Sequence, residues 1–204
     1  SCVIPDGCIY GLVGTNGAGK STLLRIMTGV YKQDAGEMTF DGQPVYENPF
    51  VKRGIVYVPD ELYFLPGANL NRMSKLYRAA YPDFDMNRFI KLTDDLKLDR
   101  KKSIATFSKG MKRQAAIILA LACCPKYMFF DETFDGLDPV MRNLVKKLIC
   151  NDVAELNSTV IVTSHSLREL EDICDHLALL HKGGMVLDSD VLELKTSQFK
   201  VQVA

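Results

Sequence analysis

The sequence predicts one α/β domain in which a mainly parallel β-sheet is flanked by helices. Short apolar runs rich in β-branched residues alternate with longer helical patterns, which is typical of parallel strands joined by crossover helices. The length of 204 residues suits one well-filled domain and is short for two. Two turn signals, Asp41-Gly42 and Gly183-Gly184, add an antiparallel part to this prediction.

The individual elements follow from the spacing of apolar residues and from the turn residues between them. In chain order they are a strand at 8–13, a helix at 20–31, a hairpin at 37–45, a strand at 54–59, helices at 70–81, 86–98 and 109–124, a strand at 127–131, a helix at 139–156, a strand at 159–164, a helix at 166–174 and a hairpin at 177–188. Residues 61–106 are more polar and helical in period, which predicts a helical subdomain inserted in the single domain 1–204. We expect both ends to be boundaries inside a longer protein, since the chain enters directly into a buried strand and ends on the strand-like run 199–204.

Composition restricts the classes of function. Apolar residues make up 47% of the chain and charged residues 25%, as in globular proteins. Lys+Arg and Asp+Glu both number 25, so charge recruits no nucleic acid and none is expected as a partner. No apolar run reaches the roughly 18 residues that a membrane-spanning helix needs. The six cysteines lack metal-ligand spacing and disulfide-scaffold density, which predicts reduced thiols.

A glycine-rich segment, GTNGAGKST, matches the pattern G-x-x-x-x-G-K-[ST] between a predicted strand and a predicted helix. Its glycines allow a tight loop whose N–H groups point at phosphate oxygens, and the helix adds the positive end of its dipole. Lys20 can reach the β- and γ-phosphates of a nucleotide, and the Ser21 hydroxyl can ligate Mg²⁺. The expected nucleotide-binding residues are Gly14, Thr15, Asn16, Gly17, Ala18, Gly19, Lys20, Ser21 and Thr22.

Two acidic residues follow the apolar strand YMFF. Asp131, at the end of this strand, can hold the coordination shell of Mg²⁺. Glu132 can accept a proton from a water molecule that attacks the γ-phosphorus. Because neighbouring strand residues face opposite sides, the two carboxylates can serve these two roles separately.

His165 lies at the end of the next predicted strand, TVIVTS. Ligands of open α/β sheets bind outside the carboxyl ends of the strands, so His165 is expected at the same sheet edge as the phosphate loop and Asp131. A lone histidine is more often structural than catalytic, but this position favours a contact with the γ-phosphate. His165 would then sense the phosphate and orient Glu132 or the attacking water.

The order of five motifs resembles the nucleotide-binding subunit of an ABC transporter. These motifs are GTNGAGKST, FSKGMKRQ, YMFFDE, FDGLDP and TSHSL, and the resemblance covers essentially the whole chain. It implies a P-loop NTPase fold of the ABC ATPase type, whose helical subdomain docks on membrane subunits. It also implies that two subunits pack head to tail, so that each ATP lies between one phosphate loop and the partner's signature motif.

Residues 107–111, FSKGM, correspond to that signature motif, which is usually L-S-G-G-Q. The resemblance implies that Ser108 and the backbone of Gly110 contact the γ-phosphate of the ATP bound to the partner. Ser108 also suits a helix N-cap, and a helix beginning there presents N–H groups to an anion. Asp138, in GLDP, would belong to the loop that couples the two sites.

Three residues depart from the family's pattern. Lys109 replaces the first signature glycine and Met111 the final glutamine, so backbone contacts can survive while those of the glutamine cannot. The run SKGM resembles a subgroup of single-domain bacterial ABC ATPases, the YtrB-like proteins. Asp60 follows YVP where most of the family has a glutamine that ligates Mg²⁺ and senses the membrane subunit. We expect Asp60 to ligate Mg²⁺, directly or through water, with an added negative charge.

The leading hypothesis is an ATP-hydrolysing subunit that powers an ABC membrane transporter. The resemblance implies ATP and Mg²⁺, a second ATP-binding subunit in a homo- or heterodimer, a transmembrane permease, and a cytoplasmic position on the inner face of the cell membrane. The alternative is an ABC-type ATPase in DNA repair, chromosome structure or on the ribosome. The first two classes carry long coiled-coil insertions, whereas fewer than 100 residues separate the phosphate loop and the signature segment here. The third class has two nucleotide domains in tandem.

Overall fold

The structure is a computed structural model that describes residues 2–197, and a six-stranded β-sheet forms its centre. In spatial order the strands are β4 (Ile55–Val58), β5 (Tyr127–Phe130), β6 (Thr159–Ser164), β1 (Ile9–Val13), β7 (His176–His181) and β8 (Gly184–Asp190). The first five are parallel, and β8 runs antiparallel to β7. A separate hairpin pairs β2 (Thr39–Phe40) with β3 (Gln43–Pro44). The predicted fold class is thereby confirmed, while the strand-like run at 199–204 lies outside the described residues.

Helices cover the sheet and fill the segment between β4 and β5. They are α1 (Lys20–Met27), α2 (Pro49–Lys52), α3 (Leu70–Ala80), α4 (Met86–Asp95), α5 (Lys109–Ala122), α6 (Pro139–Leu156), α7 (Leu167–Leu170) and α8 (Val191–Ser197), with a 3₁₀ turn at Ile104–Thr106. Polar side chains begin several of them: Asn69 caps α3, Asp85 caps α4 and Asp138 caps α6 by accepting backbone N–H bonds. None of the helices in residues 2–197 is long and apolar enough to cross a membrane.

The central strands are buried on both faces, and successive residues contribute to two different cores. In β1, Ile9 and Val13 belong to a core shared with α3, α4, α5 and α6, whereas Tyr10 and Leu12 belong to a second core shared with α1 and the β2–β3 hairpin. This two-sided burial explains why the parallel strands read as continuous apolar runs. Because these strands are parallel, their carboxyl ends meet at one edge of the sheet, where the polar motifs lie.

Several helices end before their predicted last residues, and α1 and α7 depart most from the prediction. The helix predicted at 20–31 ends at Met27, because the Thr28 hydroxyl bonds the Leu24 carbonyl and Gly29 adopts a positive φ of 65°. The helix predicted at 166–174 is limited to Leu167–Leu170. There the chain turns so that the Asp175 N–H reaches the Ile9 carbonyl at 2.9 Å and β7 can begin beside β1.

The turn of the last hairpin lies one residue earlier than predicted. Lys182 and Gly183 have φ values of 48° and 78°, so they form the turn, while Gly184 is already the first residue of β8. The Gly183 N–H donates to the Ala18 carbonyl at 3.0 Å, which ties this turn to the glycine-rich segment. The Asp41-Gly42 turn forms as predicted between β2 and β3.

Candidate nucleotide-binding site

The glycine-rich segment forms a loop between β1 and α1 at the carboxyl edge of the sheet. Gly17 and Gly19 adopt φ values of 78° and 104°, a left-handed backbone that glycine tolerates best. A Cβ on Gly14 would come within 2.5 Å of the Leu180 carbonyl oxygen, so this position accepts no side chain without movement. Three consecutive residues of the loop, Thr15, Asn16 and Gly17, are exposed. These residues leave the loop open to solvent, where its backbone N–H groups can approach an anion.

Lys20 directs its ammonium group back into this loop. Its side chain is 6% exposed, and Nζ donates to the carbonyl oxygens of Gly14 at 2.7 Å and Thr15 at 3.3 Å. Nζ also lies 3.0 Å from Oε1 of Glu132, in an ion pair whose carboxylate is 14% exposed. The predicted phosphate-binding lysine and the predicted general base are thus direct partners.

Glu132 stands at a sharp bend just after β5. Its φ of 48° places a non-glycine residue in the left-handed region, a strained conformation of the kind found at functional sites. Its backbone N–H donates to Oγ1 of Thr163 at 3.0 Å, which holds the bend. Oε1 of the carboxylate faces Lys20, and Oε2 lies 3.1 Å from Nδ1 of His165. One carboxylate therefore joins the phosphate loop to the residue that follows β6.

His165 is the exposed member of this group. Its side chain is 52% exposed, in contrast to the buried Lys20. It follows the last residue of β6, so it lies at the predicted sheet edge beside Glu132. A ring with one nitrogen on a carboxylate and an open face to solvent can hold an incoming phosphate or water in place.

Asp131 is buried and held from two neighbouring strands. Its side chain is 1% exposed, Oδ1 accepts a hydrogen bond from the Thr163 hydroxyl at 2.8 Å, and Oδ2 accepts one from the Tyr57 hydroxyl at 3.2 Å. Burial, followed by the charge of Asp131, raises the pKa of Tyr57 to about 12, so the phenol remains a donor. These two hydroxyl residues are absent from the sequence-based site. The strand register could have indicated them, since Tyr57 pairs with Phe129 and Phe130 with Val162, next to Thr163.

The signature residues lie at the beginning of α5. The Ser108 hydroxyl accepts the Met111 N–H at 3.2 Å, as expected of an N-cap, and Lys109 is 74% exposed. Lys109 Nζ lies 3.4 Å from a carboxylate oxygen of Asp135, and a Cβ on Gly110 would lie 3.4 Å from the Gly136 carbonyl. In the part of the chain that the structure describes, this segment therefore neighbours the loop that leads to Asp138, rather than residues 14–22.

Asp60 has an ionic partner that its sequence position does not indicate. Its Oδ1 accepts a hydrogen bond from Arg113 at 2.8 Å, and the Arg113 side chain is 2% exposed. The predicted Mg²⁺ ligand thus contacts the helix that carries the signature segment. Among the described residues, no group of three or more His, Cys, Asp or Glu side chains could hold a metal ion.

Comparison with known proteins places the chain in a family. Residues 1–135 match the family model described as ABC transporter. The ABC transporter ATP-binding protein YtrB of Bacillus subtilis is 32% identical over 204 residues, which cover 100% of this chain and 70% of YtrB. The bacitracin transport ATP-binding protein BcrA of Bacillus licheniformis is 30% identical over 190 residues, which cover 90% of this chain and 61% of BcrA.

Solved structures support the same assignment. The structure of an ATP-binding subunit of an ABC transporter superposes with a TM-score of 0.87 at 25% identity, covering 96% of this chain and 84% of the other. That of cbiO1 from Clostridium perfringens has a TM-score of 0.77 at 24% identity, with coverage of 96% and 82%, and shows the shared fold.

These findings confirm the resemblance predicted from the motifs, including the likeness to YtrB, and none of them supports a role in DNA repair or on the ribosome. The chain belongs to the ABC transporter family, among the subunits that bind and hydrolyse ATP to power membrane transport.

Proposed function

We propose that two such subunits bind head to tail around ATP and that Glu132 is the base that activates the attacking water. The observation that carries this proposal is the position of the Glu132 carboxylate, 3.0 Å from Lys20 and 3.1 Å from His165. A phosphate-binding cation, a carboxylate and an imidazole in contact at the carboxyl edge of a parallel sheet suit phosphoryl transfer to water.

The Lys20–Glu132 ion pair gives the catalytic cycle its first step. The γ-phosphate of ATP is an anion that competes with Glu132 for the Lys20 ammonium. When the phosphate takes this ammonium, Glu132 loses a cation that stabilises its charged form and becomes a better proton acceptor. His165 keeps the carboxylate oriented through Oε2, so the base is freed electrostatically without losing its position.

We propose that Mg²⁺ binds together with the nucleotide, held by Ser21 and Asp131. Mg²⁺ generally uses one or two carboxylates and the phosphates of the substrate rather than a cage of protein ligands. Ser21, in the first turn of α1, and Asp131, with its carboxylate fixed by two hydroxyls, fit this mode. When bound, the ion would neutralise charge that develops on the phosphate oxygens. Asp60 fits less well, since one of its oxygens already accepts a bond from Arg113.

We further propose that Ser108, Lys109, Gly110 and Met111 complete the ATP site of the partner subunit. The N-terminus of α5 has unpaired N–H groups and the positive end of a helix dipole, while its first turn has no acidic residue. Lys109 adds a cation where the helix dipole disfavours one, which is a stable arrangement when an anion binds nearby. Asp138, which caps α6 beside this segment, would connect the two sites.

The helical segment 61–106 is proposed as the subdomain that contacts a transmembrane permease at the inner face of the cell membrane. Helices α3 and α4 pack through Leu70, Met73, Phe89 and Leu92 into the core that α5 shares. Movement at α5 would therefore reach them. Two similar proteins carry names that fit such a partner: BcrA is named for bacitracin transport, and cbiO1 is described as part of the complex cbiONQ.

Glu132→Gln tests this proposal in the full-length subunit. The amide keeps the shape of the side chain but cannot take a proton, so ATP should remain uncleaved and hold two subunits together. We expect light scattering to show a dimer with ATP and a monomer without it, and the ATPase rate to fall at least about 100-fold. Glu155→Gln, a similar change at an exposed position of α6, should behave as the parent does. A protein that stays monomeric with ATP would contradict the head-to-tail dimer.

A further inference from the structure

Arg113 lies inside the protein in the second turn of α5. Its Nη1 donates to the Pro59 carbonyl at 3.0 Å and its Nη2 to Asp60 Oδ1 at 2.8 Å. Only 2% of the arginine side chain is exposed, so its charge is stable there chiefly because this carboxylate and this carbonyl replace water. One guanidinium therefore holds two consecutive residues of the loop that follows β4.

One backbone hydrogen bond connects the strand before this loop to Asp131 of the nucleotide site. Val58, the last residue of β4, accepts the Asp131 N–H at its carbonyl at 2.9 Å, and Pro59 and Asp60 follow it in the chain. Hydrogen bonds and short chain segments thus connect Asp131 to Arg113 without a gap. A shift of the end of β5 would therefore move this loop and with it the hydrogen-bond acceptors of Arg113.

Arg113 also belongs to the helix that begins at the signature segment. Ser108 caps α5 five residues earlier, and the helix beyond Arg113 is buried from Ala115 to Ala122. A helix packed in this way moves as a rigid element rather than bending. The arginine therefore links the two parts of this chain that would face phosphate, the end of β5 and the N-terminus of α5.

The two members of the Asp60–Arg113 pair differ in exposure, and the buried arginine depends on the contact. Asp60 is 52% exposed and can turn to water, whereas Arg113 cannot. The Nε atom of Arg113 is buried and has no hydrogen-bond partner among the described residues, so the two Nη contacts are those that offset its desolvation. If the loop moved without α5, the guanidinium would lose both and remain buried without a partner.

We propose that Arg113 is a positioning residue that makes the loop after β4 and helix α5 respond together to nucleotide bound at the phosphate loop. This inference rests on the proposed function, because that function assigns the N-terminus of α5 to the partner's ATP. Asp60 then serves as the partner of Arg113 and not as a metal ligand.

Hydrogen–deuterium exchange of the full-length subunit tests this coupling within one chain. The sample is kept dilute enough that light scattering shows a monomer, and exchange is compared with and without a non-hydrolysable ATP analogue. In the parent, the analogue should slow exchange at residues 14–22 and also at residues 109–113. In Arg113→Gln and in Asp60→Ala, the slowing at 14–22 should remain and that at 109–113 should be lost.

Two further variants make the result specific. Arg88→Gln breaks another partly buried arginine–carboxylate pair, with Asp152, which joins α4 to α6 away from the site, and it should keep the slowing at 109–113. The double variant Asp60→Ala/Arg113→Gln should lose no more than Arg113→Gln alone, since Asp60 acts only through Arg113. If Arg113→Gln fails to fold, Asp60→Ala decides, since Asp60 is half-exposed and its truncation removes the acceptor of Arg113. Residues 109–113 that respond equally in parent and variants, or that do not respond in the parent, overturn the proposal. Because a monomer is measured, the outcome is independent of the dimer tested with Glu132→Gln.

Discussion

Thr163 orients both acidic residues at the end of β5. Its hydroxyl donates to Asp131 at 2.8 Å and accepts the Glu132 N–H at 3.0 Å, and the residue is fully buried. The donated bond fixes the carboxylate that we assign to the metal, and the accepted bond holds the strained backbone of the base. One hydroxyl therefore fixes the relative position of two groups with different roles.

Thr163→Val should impair catalysis more than nucleotide binding. The change keeps the shape of the side chain but leaves an oxygen of Asp131 and the Glu132 N–H without this partner, which should cost about 2 kcal/mol of unfolding free energy. Lys20 and the phosphate loop are unchanged, so kcat should fall by roughly tenfold or more while KM changes little. Urea unfolding and steady-state ATPase assays measure the two effects.

The matched control for this variant is Thr28→Val. Thr28 is buried, but its hydroxyl bonds the carbonyl of Leu24 in α1 rather than a residue of the site. It should therefore lower stability without changing kcat. A Thr163→Val enzyme with the kcat of the parent would show that Thr163 does not position the carboxylates.

The sequence indicates some residues of this site and not others, for a physical reason. Lys20 stands out through the glycine-rich pattern around it, whereas Glu132 and His165 stand out as ionisable residues close behind apolar strands. Tyr57 and Thr163 do not stand out, since both are good strand formers and read as sheet residues. Their role appears only when the register sets them beside Asp131.

At the scale of elements, helix α5 combines a structural cap with an anion-facing end at Ser108. The two roles can be separated. Ser108→Ala removes the bond to the Met111 N–H and should cost about 1 kcal/mol of unfolding free energy. Ser108→Asp preserves the cap and suits the helix dipole, so its stability should match the parent.

Ser108→Asp keeps the cap, so it tests the contact with the anion alone. Its added negative charge would repel the partner's γ-phosphate. In the Glu132→Gln background, we expect Ser108→Asp to be stable yet monomeric with ATP by light scattering. Asp85→Ser, a cap exchange at α4, should leave the dimer intact, since Asp85 caps a helix of the 61–106 segment. A stable Ser108→Asp variant that dimerises like the parent would argue against a phosphate contact at this residue.

The bounds of the elements were predictable where local residues decide them. Helix α6 begins and ends at the predicted residues, because Asp138 and Pro139 start it and Asn157, with a φ of 54°, stops it. Helix α7 was not predictable, since its apolar pattern continues to Cys174 while the packing of β7 beside β1 ends the helix at Leu170. Tertiary contacts at long range determine that end.

At the scale of the whole molecule, the sequence predicts a mainly parallel sheet but not the order of its strands. The order places β1 between β6 and β7, so the phosphate loop emerges beside His165 on one side and the Lys182–Gly183 turn on the other. This arrangement depends on how two cores close on opposite faces of the sheet, which local periodicity does not encode.

The folded chain buries several tyrosine hydroxyls and cysteine thiols, which predicts a loss of stability at alkaline pH. Burial raises the pKa of Cys8 to about 11 and those of Tyr57, Tyr77 and Cys174 to about 12. It also raises the pKa values of Tyr10, Tyr81 and Cys123. In the unfolded chain these groups ionise near pH 8.5 for cysteine and about 10 for tyrosine.

Because the folded pKa values lie above the unfolded ones, their contribution to stability is complete below about pH 8.5 and falls as the pH rises towards the folded values. Urea unfolding of the full-length protein should thus show a steady loss of free energy between about pH 9 and 11. Tyr77→Phe should reduce this loss by roughly 1 kcal/mol at pH 11, since one fewer group ionises only in the unfolded chain. Tyr63→Phe, at a side chain that is 76% exposed, should leave the slope unchanged. A stability that is constant up to pH 11 would mean that these groups meet water in the folded protein.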